Sequence, residues 1–144
     1  MTKTHAIKTA AKWWADKLKR RQPHSNGDNS SHSRFACLLA DLGTEPITDE
    51  QLALFAEELE REIGKYMDEN PDRYTHIGCD YGPCRTLHEA AKKAGINALN
   101  FPYKTNMLIE QNGAVYTVQV SDGYARGYET VLPCELGCEE ANHG

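Results

Sequence analysis

The chain has 144 residues, of which 40% are hydrophobic and 26% are charged, and its formal net charge is −5. This length can bury a core without disulfides or a metal, and the composition excludes wholesale disorder. The apolar runs fall short of the ~20 residues that cross a bilayer, and the lysine-bearing N-terminus lacks the hydrophobic stretch of a signal peptide. We therefore expect a cytoplasmic protein that does not enter a membrane.

The charges are distributed unevenly along the chain. Residues 1–34 carry eight Lys or Arg against two Asp, whereas residues 35–72 carry two Lys or Arg against eleven Asp or Glu. We interpret this pattern as attraction between oppositely charged neighbouring helices. The alternatives are a basic arm that contacts nucleic acid, which we do not favour, and an acidic helix that imitates nucleic acid.

An apolar stripe at helical spacing predicts a first helix from about Thr4 to Arg21. Trp13 lies off this stripe, so we expect it at the edge of the core, the alternative being a contact with a partner. Residues 23–33 are rich in turn formers and predict a mobile loop. We interpret its His24 and His32 as solvated, with metal binding as the alternative. Residues 35–42 then predict a short helix.

A capping box gives the clearest local signal in the chain. Thr48 can cap a helix while Gln51 returns a hydrogen bond to the Thr48 amide. Apolar residues then follow one helix face to about Glu69, before Pro71. We interpret the glutamates off that face as solvated rather than as acid–base catalysts. They are Glu57, Glu58, Glu60 and Glu62.

The C-terminal half changes from helical to strand periodicity. Pro83 fits the first position of a helix that Gly95 ends, and Asn112-Gly113 predicts a tight hairpin turn. The predicted strands are Tyr74 to Cys79, Thr105 to Glu110, Ala114 to Val120 and Tyr124 to Leu132.

These elements predict an α+β fold of one domain over residues 1–144, with N-terminal helices packed on one face of a small, mainly antiparallel sheet. The expected element order is ααα-βα-βββ. A helical half covers about residues 4–70, a strand–helix–meander half covers about 73–133, and a flexible tail covers 134–144.

The turn after the first strand, together with the start of the next strand, is the first candidate site. A turn that leads into a helix exposes backbone amides, which suit an anion or a phosphate. If the two strand ends meet, aromatic rings can stack on a base while basic side chains reach phosphates. The ligand-binding candidates are Asp80, Tyr81, Gly82, Arg85, Tyr103, Lys104 and Thr105, with Phe101 as a further stacking ring. The alternative is an ordinary turn and helix start, because neither a Walker loop nor a dinucleotide-binding glycine pattern is present.

The cysteines offer a second and a third candidate. Cys79 and Cys84 could complete a four-thiolate zinc site with Cys134 and Cys138, although the spacings lack the tight two-residue gap typical of such sites. The alternative is a set of thiols with no metal. Cys84 could also act as a nucleophile, with His88 one helical turn away as its base.

Several short motifs resemble a group of small proteins carried by prophages and other mobile elements of gut bacteria. The motifs are Trp13-Trp14-Ala15-Asp16-Lys17-Leu18, Asp80-Tyr81-Gly82-Pro83, Ala94-Gly95-Ile96 and Pro102-Tyr103-Lys104-Thr105-Asn106-Met107. The chain departs from that group in its histidine-rich loop and its cysteine-bearing tail, so the resemblance implies no zinc role. It implies an accessory function, such as interference with host defence, rather than housekeeping metabolism.

We therefore expect a phage-type accessory protein in the host cytoplasm that acts by binding, without turnover. Its ligand would be a small anion such as a nucleotide, held by a homo-oligomer between subunits because so small a domain has little concave surface. The first alternative is an acidic inhibitor of a host immune complex that handles nucleic acid, with residues 49–69 as the binding helix. The second alternative is a cysteine- or zinc-dependent enzyme.

Overall fold

The computed structural model describes residues 1–20, 46–122 and 127–133. The helices of this part are α1 (Lys3–Arg20), α2 (Asp49–Glu69), α3 (Arg85–Ala94) and a 3₁₀ turn at Ala98–Asn100. The strands are β1 (Tyr74–Cys79), β2 (Thr105–Asn112), β3 (Val115–Ser121) and β4 (Glu129–Thr130). The loop predicted at 23–33, the short helix predicted at 35–42 and the tail predicted at 134–144 lie outside the described residues.

The four strands form one antiparallel sheet in the order β1-β2-β3-β4. Thr75 pairs with Ile109, and Ile109 pairs with Val118, so the alternate residues of three strands share one buried face. The helices cover that face, and the predicted α+β class is confirmed. The strand predicted from Tyr124 to Leu132 begins outside the described residues, which resume at residue 127. Within 127–132, Glu129 and Thr130 form β4 and pair with β3.

The β2–β3 hairpin turns one residue later than the sequence predicts. Asn112 pairs with Val115, so the two loop residues are Gly113 and Ala114. Gly113 has a φ of 64°, whereas the φ of Ala114 is not positive. This combination matches a II′ turn, which needs glycine at its first central position, instead of an Asn-Gly turn of type I′.

Helix α1 packs its apolar stripe into the core, as predicted. Its fully buried residues include Trp14 and Leu18. Trp13 is half-buried and its ring meets the Trp14 ring edge to face, with 5.1 Å between centroids, which confirms its position at the edge of the core. Lys3 donates to the Asp68 carboxylate at 2.9 Å, so the basic helix and the acidic helix lie side by side in opposite directions.

Helix α2 begins with the predicted capping box. The Thr48 hydroxyl accepts from the Gln51 amide at 3.0 Å, and the Gln51 side chain accepts from the Thr48 amide at 2.9 Å. Two of the unpaired amides at the helix start are thereby satisfied. The helix ends at Glu69, before Pro71, as predicted.

Helix α3 starts two residues later than predicted, and the placement of Pro83 in its first turn is wrong. Pro83 instead forms an isolated bridge with Cys79, and Cys84 is the N-cap residue. The Cys84 amide donates to the Gly78 carbonyl at 2.9 Å, which folds the turn back against β1. Gly95 ends the helix at a φ of 73°, as predicted.

The core lies between the sheet and the three helices. Phe101, which precedes β2, is buried in this core, and its ring contacts both Phe55 of α2 and Trp14 of α1. No helix in residues 1–20, 46–122 or 127–133 is long and apolar enough to cross a membrane.

Candidate functional site

The structure brings the turn after β1 to the start of β2, as the sequence predicts. The last paired residues of the two strands are Cys79 and Thr105. Just beyond them, the Lys104 amide donates to the Asp80 carbonyl at 2.9 Å. The side chains that follow Cys79 and those that precede Thr105 therefore lie together at one end of the sheet.

Four of the predicted residues form what we call the tyrosine–lysine cluster: Asp80, Tyr81, Tyr103 and Lys104. The Tyr81 and Tyr103 rings meet at a steep angle with 5.9 Å between centroids, and they are 70% and 55% exposed. The Lys104 ammonium lies 4.4 Å from the Tyr81 centroid, within range of a cation–π interaction. The two tyrosine rings are thus in contact with each other while much of each ring remains exposed to solvent.

Lys104 carries an unusual backbone and a perturbed side chain. Its φ is 55°, the one positive value at a non-glycine residue in the described part of the chain. A lysine there costs free energy, and such strain is concentrated at functional sites. A hydrogen bond to the Asp80 carboxylate at 2.6 Å raises the pKa of Lys104, so the ammonium stays charged. Because the two charges neutralise each other, the cluster offers a free phosphate little net attraction.

Three other predicted residues have different roles. Thr105 is fully buried and its hydroxyl donates to the Tyr103 carbonyl at 3.2 Å, so it shapes the turn rather than facing a ligand. Phe101 is buried in the core, and its prediction as a stacking ring is wrong. Gly82 lies in the turn with open space around its Cα and without a positive φ, so the turn does not require glycine there.

Arg85 does not reach the tyrosine–lysine cluster through any contact in the described residues. It lines a groove of about 500 Å³ between the C-terminal half of α2 and the start of α3, which we call the α2/α3 groove. The other residues that line it are Glu62, Lys65, Tyr66, Glu69, Asn70, Thr86, Glu89 and Lys93. This groove was not predicted from the sequence. The signal available was the charge pattern of α2 and α3, but nothing in the sequence gives the distance between two helices.

The prediction that the α2 glutamates form a solvated face is wrong for Glu58. Its carboxylate is nearly buried, lies 2.7 Å from the Arg61 guanidinium and 3.6 Å from the Lys93 ammonium. Lys93 also pairs with Glu62 at 2.9 Å, and these carboxylates raise the pKa of Lys93. The charges of Glu58 and Glu62 are therefore neutralised by cations of the same chain.

The two described cysteines lie at the ends of the turn. Cys79 is buried at the end of β1, Cys84 is half-buried, and the two are not bonded to each other. No cluster of three or more His, Cys, Asp or Glu suited to a metal occurs in residues 1–20, 46–122 and 127–133. Cys134 and Cys138 lie outside them, so the zinc site stays a prediction. His88 is exposed one turn after Cys84, and the nucleophile hypothesis likewise stays untested.

Comparison of the chain with protein-family models finds no match. Comparison with curated proteins finds no match either. The resemblance to prophage-borne proteins therefore stays a prediction that depends on the motifs quoted above.

Proposed function

We propose that the protein acts by binding and that the tyrosine–lysine cluster holds a ligand with a flat aromatic ring, such as a nucleotide base. The observation that carries this proposal is the pair of exposed rings, Tyr81 and Tyr103, in contact beside the strained Lys104. An exposed aromatic face gains about 1–3 kcal/mol for each base that stacks on it. Neither ring is needed to fill the core.

The charges of the cluster favour a nucleotide over a bare phosphate. Asp80 and Lys104 are neutral as a pair, so an incoming phosphate must compete with the Asp80 carboxylate for the ammonium. A base compensates for that exchange, because its N–H groups can donate to the carboxylate that the ammonium leaves. A tyrosine ring then stacks on the base, Lys104 contacts the phosphate, and Asp80 accepts a hydrogen bond from the edge of the base.

Binding at this surface suits the accessory role that the resemblance implies. A phage-type protein that sequesters a nucleotide signal needs affinity but no turnover. The competing idea, an acidic helix that imitates nucleic acid, is less well supported, since Glu58 and Glu62 are already engaged by cations of the same chain.

Titration calorimetry with AMP, GMP, CMP and UMP tests the proposal. We expect at least one nucleotide to bind, and we expect Tyr81→Ala and Tyr103→Ala each to weaken binding about tenfold, in line with the loss of one stack. Lys104→Gln should weaken the nucleotide more than the corresponding nucleoside, because it removes the phosphate contact.

Tyr74→Ala is the matched control. Tyr74 is 47% exposed and lies under the Arg73 guanidinium, so it has the same chemistry without a second ring. If Tyr74→Ala weakens binding as much as Tyr81→Ala does, the cluster is not the site. The proposal is also wrong if none of the four nucleotides gives heat of binding.

A further inference from the structure

The two sides of the sheet differ in how their strand edges are covered. In an antiparallel strand, every second residue directs its amide and carbonyl away from the strand it is paired with. On β3 these outward residues are Tyr116, Val118 and Val120. Tyr116 exchanges two hydrogen bonds with Met1, at 2.8 and 3.1 Å, while Val118 and Val120 face residues 129–131. The edge of β3 is therefore closed along its length.

The edge of β1 is covered only at one end. The Arg73 carbonyl accepts a hydrogen bond from β2 at 2.7 Å, so the odd-numbered residues of β1 bond to β2 and the even-numbered ones point outward. The outward carbonyl of Gly78 accepts from the Cys84 amide. The outward amides and carbonyls of Tyr74 and His76 have no hydrogen-bond partner among the described residues. These backbone groups are open to another strand.

The open part of β1 lacks the features that usually protect a sheet edge. Natural edge strands carry lysine, proline or a bulge that discourages pairing with another chain. β1 contains no lysine and no proline, and its register against β2 is uninterrupted. Its tyrosine, threonine and isoleucine favour the extended conformation. Tyr74 is 47% exposed and His76 is exposed as well, so solvent reaches this stretch.

Both ends of the open stretch are closed to a longer strand. At one end, Cys84 lies beside Gly78 and blocks a partner that continues in that direction. At the other end the chain bends at Arg73, two residues after Pro71, which has no amide hydrogen to donate. An occupant must therefore be a short strand whose chain turns away at both ends. β1 itself has this form.

We propose that β1 pairs with β1 of a second copy of the chain, antiparallel and about a two-fold axis at Thr75. Each Tyr74 then lies opposite His76 of the other copy, and every open amide and carbonyl of both copies finds a partner. A register shifted by two residues pairs only Tyr74 with Tyr74 or only His76 with His76. The match is an isologous form of strand addition, in which main-chain hydrogen bonds supply the affinity.

The side chains agree with this register. A tyrosine ring meets an imidazole on the exposed face of each pair, and Arg73 lies opposite Ile77, so no like charges face each other. The bend at Arg73 takes the chain away where the turn of the second copy begins. Asp72 of one copy then lies toward Arg85 of the other, and both are exposed. Opposite charges thus meet at both ends of the pairing.

Sedimentation velocity over a range of protein concentrations tests the pairing. We expect a dimer whose fraction rises with concentration. His76→Pro removes one outward amide from each copy and leaves the bonds to β2 in place, because proline is tolerated on an edge strand. We expect it to weaken self-association about tenfold or more. His76→Ala is the matched control, since it removes the ring and keeps the amide, and it should weaken association less.

An intermolecular nuclear Overhauser effect identifies the register in the unaltered protein. Around a two-fold axis at Thr75, the α-protons of the two Thr75 residues lie in close contact across the narrow pair. In a mixture of ¹³C-labelled and unlabelled protein, we expect an isotope-filtered signal between them. This measurement decides the question alone if the amide spectrum shows that His76→Pro does not fold.

Two results overturn the inference. The first is a protein that stays monomeric at every concentration. The second is a dimer without the Thr75 signal, or one in which folded His76→Pro associates as the unaltered protein does, because another surface then holds the copies together. The pairing uses no residue of the tyrosine–lysine cluster, so nucleotide binding to a monomeric protein leaves that proposal standing while this one fails.

Discussion

The Lys104 ammonium lies 2.6 Å from the Asp80 carboxylate while the Lys104 backbone has a φ of 55°. The side chain is thus well placed by a backbone conformation that lysine disfavours. Replacing Lys104 by glycine removes the strain and the ion pair together. Left-handed strain costs about 1–2 kcal/mol, whereas an exposed ion pair contributes about 0–1 kcal/mol. Glycine also gives the unfolded chain more freedom, which costs about 0.5–1 kcal/mol. We therefore expect Lys104→Gly to change the free energy of unfolding in urea by less than about 1 kcal/mol and to weaken ligand binding.

Asp80→Asn separates the two effects, because it removes the ion pair and leaves the strained backbone. We expect it to leave the stability unchanged or slightly lower. A loss of stability in Lys104→Gly as large as in a core variant would contradict the view that this lysine is kept for function at a structural cost.

We also expect Asp80→Asn to change the titration of Lys104. The carboxylate raises the pKa of Lys104 above its ordinary 10.5, through a hydrogen bond and charge attraction. Because the folded-state pKa is the higher one, the stabilisation is complete below 10.5 and is lost as pH rises through the folded pKa. We expect the side-chain nitrogen of Lys104, followed by NMR, to titrate at lower pH in Asp80→Asn.

Gly78 is the glycine near the site whose lack of a side chain the packing requires. A Cβ there would lie 2.5 Å from Asn106 Oδ1 and 2.9 Å from His76 Cε1. These atoms belong to a pair that interacts at 2.9 Å between His76 Nε2 and Asn106 Oδ1. We expect Gly78→Ala to lower the free energy of unfolding by about 1 kcal/mol, the worth of one hydrogen bond.

Gly82→Ala is the matched control for Gly78→Ala, since a Cβ at Gly82 meets nothing within 4 Å. We expect no loss of stability from Gly82→Ala, or a small gain because alanine reduces the freedom of the unfolded chain. Thermal unfolding of both variants in parallel distinguishes a steric requirement from a general need for glycine in this turn.

The sequence predicted the elements whose signals are local. The capping box at Thr48 and Gln51 sets the start of α2, and Gly95 sets the end of α3, because each acts within one helical turn. Pro83 misled the prediction of the α3 start. The fixed φ of proline suits a first helical position. The hydrogen bond from the Cys84 amide to the Gly78 carbonyl instead keeps Pro83 and Cys84 in the turn, so the helix begins at Arg85.

The candidate site was predicted only where strand pairing determined it. The juxtaposition of Tyr81 with Lys104 follows from an antiparallel β1–β2 pair, which period-two patterns indicate. The separate location of Arg85 follows from the direction in which α3 leaves the turn. The α2/α3 groove depends on the packing of two helices distant in sequence, and the positive φ of Lys104 has no signal in its residue type.

Glu58 is predicted to contribute more to stability than its neighbour Glu57. The Glu58 carboxylate is nearly buried between Arg61 and Lys93, whereas Glu57 is exposed and, among the described residues, pairs with Arg61 alone. Removing one partner of a largely buried ion pair leaves charges unpaired, so we expect Glu58→Gln to cost about 1–3 kcal/mol. Glu57→Gln should cost less than about 0.5 kcal/mol. Equal effects in urea unfolding would show that Glu58 is solvated after all.

The contribution of Glu60 to stability should depend on pH with the opposite sign to that of an ion-paired carboxylate. Burial raises its pKa above the ordinary 4.5, and this effect exceeds the lowering by Lys8. Because the folded state holds the proton more tightly, the contribution of Glu60 to stability falls as pH rises from 4.5 through the folded pKa. Glu60→Gln should therefore be slightly more stable than the unaltered protein at pH 7, by less than about 0.5 kcal/mol because solvent screens the partly exposed group. The gain should vanish at pH 3, when urea unfolding is followed at both pH values, since the carboxyl is then almost fully protonated in both states. A gain that persists there would point to packing instead of ionisation.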